Sequence, residues 1–249
     1  RSPDLGIFLE YATGCGFAGW WASRLRRSQN MVGGLVVAMA LGGVTNAAVG
    51  TGLSWQGSLY AAAVSVCVLS AVLCWFVYHS VVIFASTAVD CYAGIMIVSP
   101  SVDGLLASYN ILTAVVRRAG FTLELALLAA TQLSLVLVSL AVLMVLDNSA
   151  GVQHSLVLSL VALWLAMTLI LFNGVAVVNL KMERIPTLAI ARNFGLEVDH
   201  DKLCLVASMQ AADGGLRMFN VRIDRKTILR VSYYSMAMVG ALLPQLVFE

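Results

Sequence analysis

Charge is what this sequence has least of. Asp, Glu, Lys and Arg make up 11% of its 249 residues, against roughly 25% in an ordinary soluble domain. Apolar residues make up 60%. Such a chain cannot cover a water-facing surface, so its solvent is expected to be largely lipid. The net charge of +2 is too small to argue for nucleic acid. Disulfide chemistry is also thin. The five cysteines (Cys15, Cys67, Cys74, Cys91, Cys204) are an odd number without metal-type spacing, and they read as small core residues. No basic–apolar–small leader opens the chain. It begins at Arg1 and reads as a fragment without its true N-terminus. No Asn-x-Ser/Thr acceptor is present to orient it. There is no Gly-rich phosphate loop, no HExxH and no nucleophile–base pattern, so no enzyme and no cofactor are expected. His200 stands between Asp199 and Asp201, but one histidine is a poor transition-metal site. A solvated loop with a helix cap explains it better.

What the sequence does have is long apolar runs. About 20 apolar residues in a helix cross a hydrocarbon core of about 30 Å. Six stretches fit, at about 5–21, 31–53, 59–84, 121–146, 155–180 and 228–248. Period-2 alternation is missing, and open strands would leave backbone groups unpaired in lipid, so the runs are helices. The small residues Gly34, Gly42, Gly43, Ala47 and Ala48 fit close helix packing.

The few charges are placed to one side. Arg24, Arg26 and Arg27 lie between the first two runs, and Arg117 and Arg118 precede the fourth. Lys181, Arg184, Arg192, Lys202, Arg217, Arg222, Arg225 and Lys226 lie between the last two, with Arg230 just inside the final run. The connections 54–58 and 147–154 hold no Lys or Arg. Lys and Arg accumulate on the cytoplasmic side. Alternating the spans puts every basic residue except Arg1 inside and the C-terminus outside.

The inner segments are long and structured. After Pro100, a helical stripe of Val102, Leu105, Leu106, Tyr109, Leu112 and Val116 is expected, with Ser101 as cap, Arg117 and Arg118 in the last turn and Gly120 following. "DKLCLVASMQAADGGLRMF" reads as a second inner helix, with Asp213-Gly214-Gly215 as a turn or break. The expected fold is therefore all-α: a polytopic transmembrane helix bundle whose long helices protrude into a cytoplasmic anchor region. The cytoplasmic helices are expected over about 85–119 and 202–220.

This plan resembles the insect gustatory/odorant receptor superfamily and its gustatory-receptor-like relatives. The residues that carry the resemblance are "GGLRMFNVRIDRKTIL" (Gly214 to Leu229), then Tyr233, Tyr234 and Gln245, and more weakly "SYNILTAVVRRAGFTLEL". The family's Thr-Tyr before the glutamine is replaced here, with Val239 at that position and Leu246 after the glutamine. Family members have seven spans with the N-terminus inside, so the resemblance implies that the first span is missing from this chain. It also implies a ligand-gated cation channel in the plasma membrane. Such a channel is a homo- or hetero-tetramer joined through the cytoplasmic helices, and its small-molecule pocket lies among the outer halves of the other spans.

Carried onto this sequence, the resemblance makes Ile228 to Phe248 the pore helix. Gln245 lies near its outer mouth, and Met236, Val239 and Leu243 form an apolar constriction of the kind that gates by dewetting; as a stripe they also fit plain packing. Phe219 and Arg222, with Tyr109 and Leu112, fall in the anchor and coupling region. Depth makes Glu10, Tyr11, Asn46 and Trp164 pocket candidates, while Trp55 and Tyr60 fit interface anchoring. Glu10 either serves a function inside the span or reaches the outer headgroups. Glu124 either pairs with Arg117 or Arg118 or marks an ion path. Two other classes remain open. A fragment of a secondary transporter should show internal repeats and interrupted spans, and a structural membrane protein would bind no ligand.

Overall fold

Long apolar sequences with few helix breakers build long helices, and that is what the computed structural model contains. It describes residues 16–50, 55–98, 102–146, 152–191, 199–212, 214–218, 221–224, 226–230 and 233. Among these, five helices follow in order: α1 (Phe17–Gly50), α2 (Trp55–Val98), α3 (Val102–Leu146), α4 (Val152–Ala191) and the short α5 (Asp199–Ala211). Two two-residue strands come next, β1 (Arg217–Met218) and β2 (Val221–Arg222), paired antiparallel with Arg217 opposite Arg222. Residues 226–230 are helical again. The all-α class is therefore observed. Three helices are long and apolar enough to cross a membrane, over Leu69–Ile97, Val102–Leu143 and Val161–Ala191, which is the make-up of an integral membrane protein. At 1.5 Å per residue α2 and α3 each extend for roughly 65 Å, about twice a hydrocarbon core.

Three expected boundaries change. The spans expected over 5–21 and 31–53 share one unbroken helix from Phe17 to Gly50, so residues 22–30 are not a loop. Charge alone does not stop a helix; that takes proline or glycine, and Arg24, Arg26 and Arg27 stay helical. Phe17 and Trp21, at the end of the first expected run, pack edge-on against Phe84 at 5.4 and 6.1 Å. Second, the helices expected over 85–119 are, as the stop near Pro100 implied, the end of α2 and the start of α3, but the latter runs on without a break past 119 to Leu146. Gly120 does not end it but lies inside α3, where a Cβ would touch Leu216 Cδ2 at 3.5 Å. That is ordinary van der Waals contact, so the position packs against the segment at Leu216 without requiring glycine. Third, the helix expected over 202–220 ends at Ala211, just ahead of the turn or break expected at Asp213-Gly214-Gly215, where Gly215 takes φ +152°, a conformation that glycine adopts without strain.

The chain forms two compact units. The first holds the described parts of Arg1–Arg26, Ser80–Leu125 and Phe172–Arg225. Its core is buried apolar side chains from every element. Val82, Ala85 and Tyr92 come from α2, and Leu105, Tyr109, Leu112 and Val116 from α3. Val175, Val178 and Ile185 come from α4, and Leu205 and Met209 from α5. The α3 stripe thus buries four of its expected members, while Val102 and Leu106 are half-buried. The second unit holds the described parts of Arg27–His79, Ala126–Leu171 and Lys226–Glu249. Trp75, Leu127, Val161, Met167 and Leu171 are buried there, while Val66, Leu73, Val77, Leu135, Val136 and Leu169 are exposed. In water such a surface would demand a partner. Around a membrane helix it is the surface lipid requires.

Candidate functional site

The polar groups of the first unit converge on the segment that leads into residues 226–230. Asn179, on α4, is 1% exposed. Its Nδ2 donates to Leu216 O at 2.9 Å and to Ile223 O at 2.6 Å, and Leu216 N donates back to its Oδ1 at 2.6 Å. One amide therefore holds both arms of the β1–β2 hairpin. Arg222 Nη2 donates to the main-chain carbonyl of Asn179 at 2.8 Å, and its Nη1 lies 3.3 Å from Glu183 Oε1. Lacking a side chain is a requirement at two neighbouring positions. A Cβ at Gly215 would lie 2.9 Å from Asn179 Oδ1, and one at Gly214 would lie 2.5 Å from Met182 Cε. Tyr109 OH supports the same region by donating to Met209 O at 3.1 Å. This arrangement is a clamp: α4 grips the hairpin through the buried hydrogen bonds of Asn179 and those of the partly exposed Arg222, so the position of α4 and that of the hairpin are tied.

A second polar cluster lies among α1, α2 and α4. Asp90 Oδ2 receives Arg24 Nη1 at 2.8 Å and Lys181 Nζ at 2.7 Å. Lys181 also donates to Ser86 Oγ at 2.9 Å, and Arg24 Nη1 to Thr87 Oγ1 at 3.3 Å. One carboxylate thus joins three helices.

Of the residues singled out from the sequence, Tyr109 and Leu112 are buried in the first unit's core and Arg222 is part of the clamp. Trp164 belongs to the second unit, where its Nε1 donates to Ser134 Oγ at 3.1 Å. Asn46 lies on α1. Glu10, Tyr11, Phe219, Met236, Val239, Leu243 and Gln245 lie outside the described residues. Sequence reasoning passed over Asn179, Asp90 and Lys181. The signal for Asn179 was present: an amide inside the otherwise apolar "GVAVVNL" must find partners if buried.

No protein-family model, curated protein or solved structure matches this chain.

Proposed function

We propose that this chain is a gustatory-receptor-like chemoreceptor and a subunit of a ligand-gated cation channel, with its last helix lining the pore. The observation that carries the reading is the interruption between Ala211 and residue 226. A short helix stops, a clamped hairpin follows, and helix resumes at the start of the last apolar run. A helix that has to move relative to its base needs such an articulation, and the clamp supplies a path from α4 to it. In this reading Arg24, Arg26 and Arg27 hold the start of α1 on the cytoplasmic side. α1 therefore runs outward, α2 inward, α3 outward and α4 inward, and the last helix runs outward to an extracellular C-terminus in the plasma membrane. Met236, Val239, Leu243 and Gln245 face the pore, and four copies associate through the cytoplasmic helices. The pocket takes Asn46 and Trp164; Glu10 and Tyr11, which a separate span over 5–21 would bring to it, do not belong to it once α1 runs outward unbroken from Phe17. Trp164 enters it with its N–H already committed to Ser134, and so offers a ligand its aromatic face.

The test is electrical. The full-length protein, checked to be tetrameric, is expected to carry a cation current that some small molecule in a broad panel of sugars, amino acids and amphiphiles opens. Val239→Trp should block that current without reducing surface expression. A verified tetramer that stays silent across the panel overturns the channel reading. An epitope placed after Glu249 that antibody cannot reach on intact cells overturns the threading.

A further inference from the structure

A cleft of about 860 Å³ opens in the first unit between α3 and the segment from α5 to β1. Arg117, Phe121 and Glu124 of α3 line it, as do Thr113 deeper in the helix and Arg217 of β1. Gly120, Gly214 and Gly215 also line it. Thr113 Oγ1 donates to Tyr109 O at 2.8 Å, so its hydroxyl faces other groups as an acceptor. Two guanidinium groups against one carboxylate leave the cleft a single net positive charge. Above it the chemistry changes. Arg117, Phe121 and Leu125 recur every four residues, so they form one stripe along α3, and Phe121 and Leu125 are 72% and 73% exposed. The stripe begins cationic and continues apolar, as an amphiphile does.

We infer that this cleft binds the headgroup of an inner-leaflet inositol phospholipid. The phosphodiester lies at Arg117 and Arg217, the ring hydroxyls donate to Glu124 and Thr113, and the acyl chains run along Phe121 and Leu125. Each part answers to something in the cleft. One phosphodiester charge matches the net charge. A headgroup rich in hydroxyls suits a site that pairs a carboxylate and a hydroxyl acceptor with the arginines. The exposed phenyl and isobutyl groups ask for hydrocarbon. Basic pockets of membrane proteins at the cytoplasmic face take phosphoinositide headgroups for the same reason. The inference rests on the threading proposed above, which puts Arg117 at the inner leaflet. It does not need the protein to conduct. A lipid here would touch the chain on both sides of Gly214 and Gly215, next to the Asn179 clamp, and so would bias the articulation of the last helix.

The test reads binding rather than current, so its failure is separate from that of the channel. Short-chain dioctanoyl phosphatidylinositol is titrated onto the purified full-length protein in detergent and followed by native mass spectrometry. Dioctanoyl phosphatidylcholine, free inositol 1-phosphate and inorganic phosphate serve as comparisons. Arg117→Gln, at an exposed helix position, should weaken phosphatidylinositol about fivefold. Arg217→Gln should do the same, and the melting temperature of each variant shows whether the hairpin survives. Phe121→Ser should weaken the lipid and leave inositol phosphate unchanged. Arg26→Gln, outside the cleft, should change nothing. Equal binding of phosphatidylcholine, or of inositol phosphate and the lipid, overturns the assignment of ligand. Unchanged lipid binding in folded Arg117→Gln and Arg217→Gln overturns the site.

Discussion

The two units solve opposite problems with the same kind of helix. In the first, polar side chains join different elements, Asn179 fully buried and the ion pairs partly exposed. Asn179 bonds two carbonyls and an N–H, Asp90 joins Arg24 and Lys181, and Arg222 meets Glu183. In the second, the tertiary bonds among the described residues include two from indoles, Trp75 Nε1 to Met167 O at 2.8 Å and Trp164 Nε1 to Ser134 Oγ, and a hydroxyl contact between Ser134 and Thr168. Its exposed face is Val and Leu. Hydroxyls there turn back on their own helix, as Ser139 Oγ does to Leu135 O and Ser70 Oγ to Val66 O. A helix surrounded by lipid gains nothing from the hydrophobic effect between helices, so packing and a few hydrogen bonds hold it. A unit that buries a directional hydrogen-bond network instead chooses one geometry over its neighbours. The comparison places geometric specificity in the first unit and adaptable packing in the second.

The sharpest way to break it is Asn179→Leu. The leucine has similar volume, but it strands Leu216 N, Leu216 O and Ile223 O in a buried site. At about 1–3 kcal/mol for each unpaired group, the expected loss is about 3 kcal/mol or more. The hairpin should then become sensitive to protease near 212–225 while the protein still inserts in membranes. A melting temperature within a degree or so of the parent would mean that the clamp specifies nothing.

Gly215→Ala attacks the same clamp from the other side. The methyl would stand 2.9 Å from Asn179 Oδ1 on a backbone at φ +152°, so strain and crowding act together. The expected cost is about 2 kcal/mol. Thermal melts of the single and double variants with Asn179→Leu should be less than additive, because both changes destroy one contact.

How much of this could be read beforehand divides along the same line. The helical class, the apolar runs and the buried face of α3 at Leu105, Tyr109, Leu112 and Val116 were legible, because period and composition report which faces meet apolar surroundings. Helix ends were less legible. Arg24, Arg26 and Arg27 looked like a connection because charge marks where a chain leaves lipid, not where a helix stops. Gly120 looked like a stop because glycine ends helices, yet a single glycine inside a long helix costs only about 1 kcal/mol and is carried by its neighbours. The clamp was nearly invisible. Asn179 meets residues 37 and 44 positions away, and no local pattern records a partner at that distance.

Asp90→Asn should have a smaller effect. The carboxylate is partly exposed, as are Arg24 and Lys181, so solvent screens the pairs and the expected loss is about 1 kcal/mol. The amide can still accept from one cation, while the two positive groups keep facing each other. A double-mutant cycle with Lys181→Met should return a coupling of about 0.5–1 kcal/mol, weakening as salt is added. Coupling that ignores salt would mean the cluster is better shielded than its exposure implies.

The smallest change is expected from Trp164→Phe, and it is the control that gives the others meaning. The phenyl keeps most of the packing and removes only the N–H that reaches Ser134. Ser134 does not become an orphan, because its hydroxyl still donates to Ala130 O at 2.7 Å and lies 3.5 Å from Thr168 Oγ1. Interhelical hydrogen bonds within membranes average about 0.6 kcal/mol, so the melting temperature should fall by less than for Asp90→Asn. Were it to fall as far as for Asn179→Leu, the second unit would also hold its geometry through directional bonds, and the contrast between the units would have to be given up.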